Sequence, residues 1–61
     1  MTMRVTIENA DGSGRVLQVK QEDRLPEQHD WQRSDITTLQ RGERRSWYIH
    51  VGRRLVVTEE V

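Results

Sequence analysis

Sixty-one residues with ten acidic and ten basic side chains and no cysteine leave room for one small domain, and remove disulfides and thiolate metal sites as staples. Hydrophobic residues make up 33% and charged residues 33%, a composition near the border of disorder, although zero net charge opposes an expanded polyelectrolyte. Balanced charge gives no global pull towards nucleic acid or membrane. No apolar stretch approaches the roughly 20 residues of a bilayer span, and Met1-Thr2-Met3-Arg4 lacks the apolar region of a secretory signal, so the expected location is the cytoplasm or a particle assembled there.

Met3, Val5 and Ile7 alternate with Arg4, Thr6 and Glu8, the period-2 pattern of a strand with one buried face. Asn9-Ala10-Asp11-Gly12-Ser13-Gly14 follows and is dense in residues suited to a reversal. Arg15 to Gln21 is then extended, with Leu17 and Val19 on one face. A hairpin with a three-residue loop at Asp11 to Ser13 would set Ile7 against Leu17 and Val5 against Val19, keeping all four on one side. Gln21 to Ser34 offers only Leu25, Pro26 and Trp31 for packing. That stretch reads as a polar excursion that either holds a helical turn from Pro26 or is a functional loop, with Trp31 plugging it to the core.

Ile36 to Leu39 reads as a short strand, and Gln40-Arg41-Gly42-Glu43 as a turn. Trp47, Ile49 and Val51 alternate with Ser46, Tyr48 and His50, and after Gly52-Arg53 the run resumes with Leu55 and Val57. A three-residue loop from Gly52 to Arg54 predicts a second hairpin, with Val51 opposite Leu55 and Ile49 opposite Val57. The expectation is one all-β domain over residues 1–61, a small antiparallel β-sandwich or partly open barrel built from two hairpins. Its strands fall near 2–9, 15–21, 36–39, 45–51 and 54–60, with the excursion at 22–34. The predicted core is Val5, Ile7, Leu17, Val19, Leu39, Trp47, Ile49, Val51, Leu55 and Val57.

Catalytic signals are missing. His29, Asp30, Asp35 and His50 lack the spacing that presents metal ligands together. Ser13, Ser34 and Ser46 sit in no nucleophile signature, and Gly12-Ser13-Gly14 opens a strand where a phosphate loop would open a helix. The chain is therefore read as non-enzymatic, with no cofactor and no metal.

Two surfaces remain. Arg41, Arg44, Arg45, Arg53 and Arg54 lie close to Trp47, Tyr48 and His50, a basic and aromatic cluster of the kind that binds single-stranded nucleic acid. Tyr48, His50 and Val56 would share the outward face of the second hairpin, and with Trp31 they are the candidate residues of a protein interface. The strand edges at 2–8 and 54–60 are candidates for pairing with a partner strand.

Thr38-Leu39-Gln40-Arg41-Gly42-Glu43, followed by His50-Val51-Gly52-Arg53-Arg54-Leu55-Val56-Val57-Thr58-Glu59, resembles short all-β accessory and structural proteins of tailed bacteriophages. Arg41 stands where those proteins tend to carry proline. The resemblance covers the C-terminal half and implies a component that binds itself, as a homo-oligomer, or a larger virion or host protein. The leading expectation is a protein-binding or self-assembling module in cytoplasm or virion. The alternatives are a small SH3-like or OB-like module that binds nucleic acid through the arginine cluster, and an inhibitor of a host protein.

Overall fold

The computed structural model describes residues 2–60, so Met1 and Val61 of the expected 1–61 domain lie outside the described residues. Five strands follow in chain order: β1 (Met3–Glu8), β2 (Leu17–Asp23), β3 (Gln32–Leu39), β4 (Arg44–Ile49) and β5 (Arg53–Glu59). No helix occurs among the described residues. The expected all-β, antiparallel architecture is present as two sheets, one of β1 and β4 and one in the order β3-β2-β5. They form an open sandwich, not a closed barrel.

The pairing differs from expectation. β1 pairs with β4, Val5 lying opposite Trp47. β2 pairs with β3 on one side and β5 on the other, which places Val19 between Thr37 and Val57. Neither predicted hairpin forms, so the expected Ile7–Leu17, Val5–Val19, Val51–Leu55 and Ile49–Val57 partners and their three-residue loops are absent.

Turn chemistry supplies the reason. Glu43 N–H donates to Gln40 C=O and Arg53 N–H to His50 C=O, each at 2.9 Å, closing two four-residue turns. Their third residues, Gly42 and Gly52, have φ of 80° and 90°, while no non-glycine residue among those described has positive φ. Positive φ at the third position alone is the mark of a type II turn. Its twist splays the flanking strands, whereas the mirror-image turns hold a tight hairpin together. Each turn accordingly hands the chain from one sheet to the other.

The polar excursion is shorter than expected because β2 and β3 extend into it. β3 begins at Gln32, and the Gln21–Asp35 and Glu22–Arg33 pairs leave Ser34 as an extra residue at a register shift. Ser34 Oγ donates to Gln21 C=O at 3.3 Å and accepts from Gln21 Nε2 at 2.9 Å, so the bulge keeps its polar groups bonded. What remains is a loop around Pro26. It holds a β-turn in place of the expected helical turn, with Gln28 N–H donating to Leu25 C=O at 3.0 Å and proline at the second position, where its fixed φ fits.

Val19, Leu39 and Trp47 are buried, with Ile7, Leu17 and Leu55 packed against them. This cluster draws on both sheets and is the whole buried apolar core among the described residues. Val5 and Ile49, also expected there, are half-buried. Val51 is 96% exposed because it lies in a type II turn and not in a strand. Val57, opposite Val19 on edge strand β5, stays 46% exposed.

The loop from β1 to β2 is organised by Asn9, a buried polar residue. Its Nδ2 donates to Arg15 C=O at 2.8 Å and to Leu39 C=O at 2.9 Å, while Oδ1 accepts from Asp11 N–H at 3.0 Å. Its backbone N–H donates to Glu43 C=O and its C=O accepts from Gly42 N–H. The Asn9 side chain thus ties this loop to the end of β3 and its backbone ties it to the following turn, with every polar group used.

Candidate interaction surfaces

The outer face of the β1–β4 sheet carries Arg4 opposite Tyr48, Thr6 opposite Ser46 and Glu8 opposite Arg44. Thr6 and Ser46 hydroxyls are hydrogen-bonded at 2.8 Å. Tyr48 is exposed here, whereas Val56 faces outward from the other sheet beside Lys20. His50 is in the turn between them, its Nδ1 against Val51 C=O at 2.8 Å. Because β4 and β5 are not paired, the predicted Tyr48, His50 and Val56 strip does not form as one face.

Trp31 does not plug the core. It is half-buried, with the Arg24 guanidinium 4.6 Å and the Arg54 guanidinium 4.3 Å from its ring centre. Two cations over one indole hold the ring by its negative faces. Arg54 Nε also donates to Glu22 at 2.7 Å, which joins the loop, β2 and β5.

Beside this stack, Arg53 donates from Nε to Asp23 Oδ1 at 2.7 Å and from its terminal nitrogen to Oδ2 at 3.3 Å, a two-point grip that suits the planar guanidinium. These bonds hold the Asp23 carboxyl below the usual carboxylate range against the opposing effect of burial, with Ser34 and the charges of Arg53 and His50 adding to them. The same bonds raise Arg53. At the other end of the fold, the Ser13 hydroxyl bonded to Asp11 lowers that carboxyl too.

The arginine cluster is spread along the molecule. Arg53 and Arg54 are engaged by Asp23 and Glu22 at the start of β5. Arg44 faces Glu8 across the ladder and Arg45 faces Ile7, while Arg41 is exposed in the turn before β4. The strand between puts these two groups at opposite ends of β4. No group of three or more His, Asp or Glu side chains placed to hold a metal occurs among the described residues. Likewise, no helix among them is long and apolar enough to cross a membrane.

A cleft of about 450 Å³ lies between the Pro26 loop and the β4–β5 turn, lined by Asp23, Leu25, Pro26, His50, Val51 and Arg53. It brings together a bonded ion pair, an exposed imidazole and three exposed apolar side chains. The more extensive feature is unpaired backbone. Among the described residues, β1 and β4 each have one partner, and β3 and β5 each pair only with β2, so all four expose an open edge.

Asn9, Glu22, Asp23, Arg24 and Ser34 were absent from the sequence-based candidates. One signal could have found two of them. The doublets Glu22-Asp23 and Arg53-Arg54 are complementary in antiparallel order, which is how β2 and β5 pair. No family model, curated protein or solved structure matches the chain.

Proposed function

We propose that the chain is a non-enzymatic binding module that works through its open sheet edges, assembling with copies of itself or docking on a larger protein. A phage-type structural or accessory role in cytoplasm or virion accords with this and carries forward the resemblance of the C-terminal half. The carrying observation is that four strand edges are unpaired among the described residues, over a core of three buried apolar side chains.

Dimensions support the same reading. The chain exposes 4820 Å², where compact monomers of this mass expose about 4200 Å². Its radius of gyration is 12.8 Å, against about 10.5 Å for a compact domain of this length. A two-stranded sheet is marginal alone in water, so covering an edge or the thin core adds stability that the isolated chain lacks.

Sedimentation equilibrium from micromolar to millimolar concentration tests the self-assembling form. The expected result is a mass that rises above one chain, with hydrogen-exchange protection appearing at edge amides. A constant single-chain mass with unprotected edge amides would remove that form.

A further inference from the structure

We infer that β5 pairs with the β5 of a second copy, antiparallel and centred on Val56, to make a continuous sheet in the order β3-β2-β5-β5-β2-β3. This rests on the self-assembling reading above and adds which edge is used and in which register.

Backbone direction comes first. Arg24 N–H donates to Gly52 C=O at 2.7 Å and Glu60 N–H to Val16 C=O at 2.9 Å. Both lie in phase with the β2–β5 ladder, where Leu17 faces Glu59 and Asp23 faces Arg53. Hydrogen-bonded pairs alternate with non-bonded ones in an antiparallel ladder. Residues 54, 56 and 58 therefore bond to β2, and the N–H and C=O groups of Leu55, Val57 and Glu59 turn away towards the open edge. The Arg53 N–H is used by its turn, leaving its C=O.

Side-chain complementarity then selects the register. A two-fold axis at Val56 places Leu55 opposite Val57 and Arg53 opposite Glu59, and makes both apolar pairs hydrogen-bonded ones. Moving the axis to Val57 sets Leu55 against Glu59, and moving it to Leu55 sets Arg53 against Val57. Only the Val56 register joins apolar to apolar and cation to anion. Arg53 is already held by Asp23 and Glu59 lies 3.5 Å from the exposed Arg15, so the charges only select the register while the ladder and the Leu55 and Val57 side chains supply the binding.

Exposure favours this edge over the others. Val57 faces the core side, directly opposite the fully buried Val19, yet is nearly half exposed. Leu55 of the second copy would cover it. β1 is the next candidate, because an axis at Thr6 would pair Arg4 with Glu8. Its central hydroxyl is already bonded to Ser46, and its core-facing Val5 and Ile7 are better covered than Val57.

The test uses proline as a blocker of outward donors, since proline is tolerated on an edge strand where the N–H faces solvent. Val57→Pro removes a donor that the single chain does not use and places a ring in the new ladder. Thr6→Pro does the same on the open edge of β1. Sedimentation of the 7.3 kDa chain should show a dimer that Val57→Pro weakens by roughly 100-fold or more and that Thr6→Pro leaves intact.

Glu59→Arg, which leaves the backbone unchanged, sets arginine against Arg53 of the second copy and should weaken the dimer by roughly 3- to 10-fold; its intrachain partner Arg15 is lost too, an exposed pair 3.5 Å apart of small worth to the fold. This variant serves if the proline substitution disturbs folding, as judged by the combined fluorescence of Trp31 and Trp47. A single-chain mass at every concentration overturns this assignment together with the self-assembling reading. A dimer that survives both Val57→Pro and Glu59→Arg overturns the β5 assignment alone, and loss of that dimer in Thr6→Pro moves the contact to β1.

Discussion

Replacing Gly52 and Gly42 by alanine, one at a time, separates backbone conformation from close approach. Both glycines occupy the left-handed third position of a type II turn, at φ of 90° and 80°. The left-handed conformation costs an L-residue roughly 1–2 kcal/mol. Around Gly42 a Cβ would meet nothing within 4 Å, so Gly42→Ala carries that conformational cost alone. At Gly52 a Cβ would lie 2.7 Å from the Arg24 carbonyl oxygen. That strand pair cannot move apart freely, because Arg24 N–H donates to Gly52 C=O at 2.7 Å.

Displacing the contact stretches a ladder hydrogen bond worth about 1 kcal/mol and disturbs the neighbouring Asp23–Arg53 grip. Gly52→Ala should therefore cost about 2–4 kcal/mol, roughly twice Gly42→Ala. A domain of this length has only about 3–9 kcal/mol of total stability. Urea unfolding followed by the fluorescence of buried Trp47 measures the difference, with Gly42→Ala lowering Tm by about 4–8 °C per kcal/mol in a parallel thermal scan. Equal losses in the two variants would refute the claim that the Gly52–Arg24 approach restricts this turn.

Asn9→Ala should cost about 2–3 kcal/mol, because it strips donors from the Arg15 and Leu39 carbonyls in a buried site; a loss under about 0.5 kcal/mol in urea titration would contradict its organising role. Acid should weaken the fold through Asp23, whose carboxyl is depressed in the folded state by Arg53. Its stabilising contribution is present above the ordinary aspartate value of about 3.9 and fades as pH falls through the lower folded value. Asp23→Asn should flatten the acid side of a urea-midpoint against pH curve, and an unchanged curve would contradict this. A gel-shift series with single-stranded oligonucleotides at low salt should show little binding, since Arg53 and Arg54 are engaged within the chain. A strong shift that falls steeply with salt would reinstate the arginine cluster as a nucleic-acid surface.

β1, β2, β4 and β5 were legible because apolar and polar residues alternate along them, and alternation reports which face of a strand is buried, whereas Gln32 to Asp35 of β3 carries no apolar residue and read as part of the polar excursion. Val19 and Trp47 follow from the alternation directly. Alternation does not report which strand lies beside which, since every apolar face here matches every other. Partner choice was settled by two type II turns, and a Gly at the third turn position is compatible in sequence with both hairpin and sheet-switching geometries. Val51 shows the consequence: in phase with Trp47 and Ile49, it reads as core, yet the turn takes it out of the strand. Asn9 was hidden for a different reason. Its composition context is that of any reversal, and only the meeting of two groups of its own loop with the distant Leu39 carbonyl makes it a buried anchor.

Arg53 and Arg54 show how the same residues bear on fold and function at once. In sequence they extend a basic cluster, which suggests an external anion. In the structure their anions are internal, Asp23 and Glu22, and together with Trp31 they fix the start of β5 against β2. The rest of β5 is different: beyond Arg54, the apolar Leu55, Val56 and Val57 occupy both faces of a strand with one paired edge. Charge therefore anchors one end of the strand, and uncovered apolar surface and free backbone donors lie along the remainder. In the proposed pairing, an edge held at one end in this way would lose less conformational freedom on meeting another strand, which lowers the ordering entropy that association must overcome. There the arginines act within the chain, and the strand that they hold in place meets the second copy.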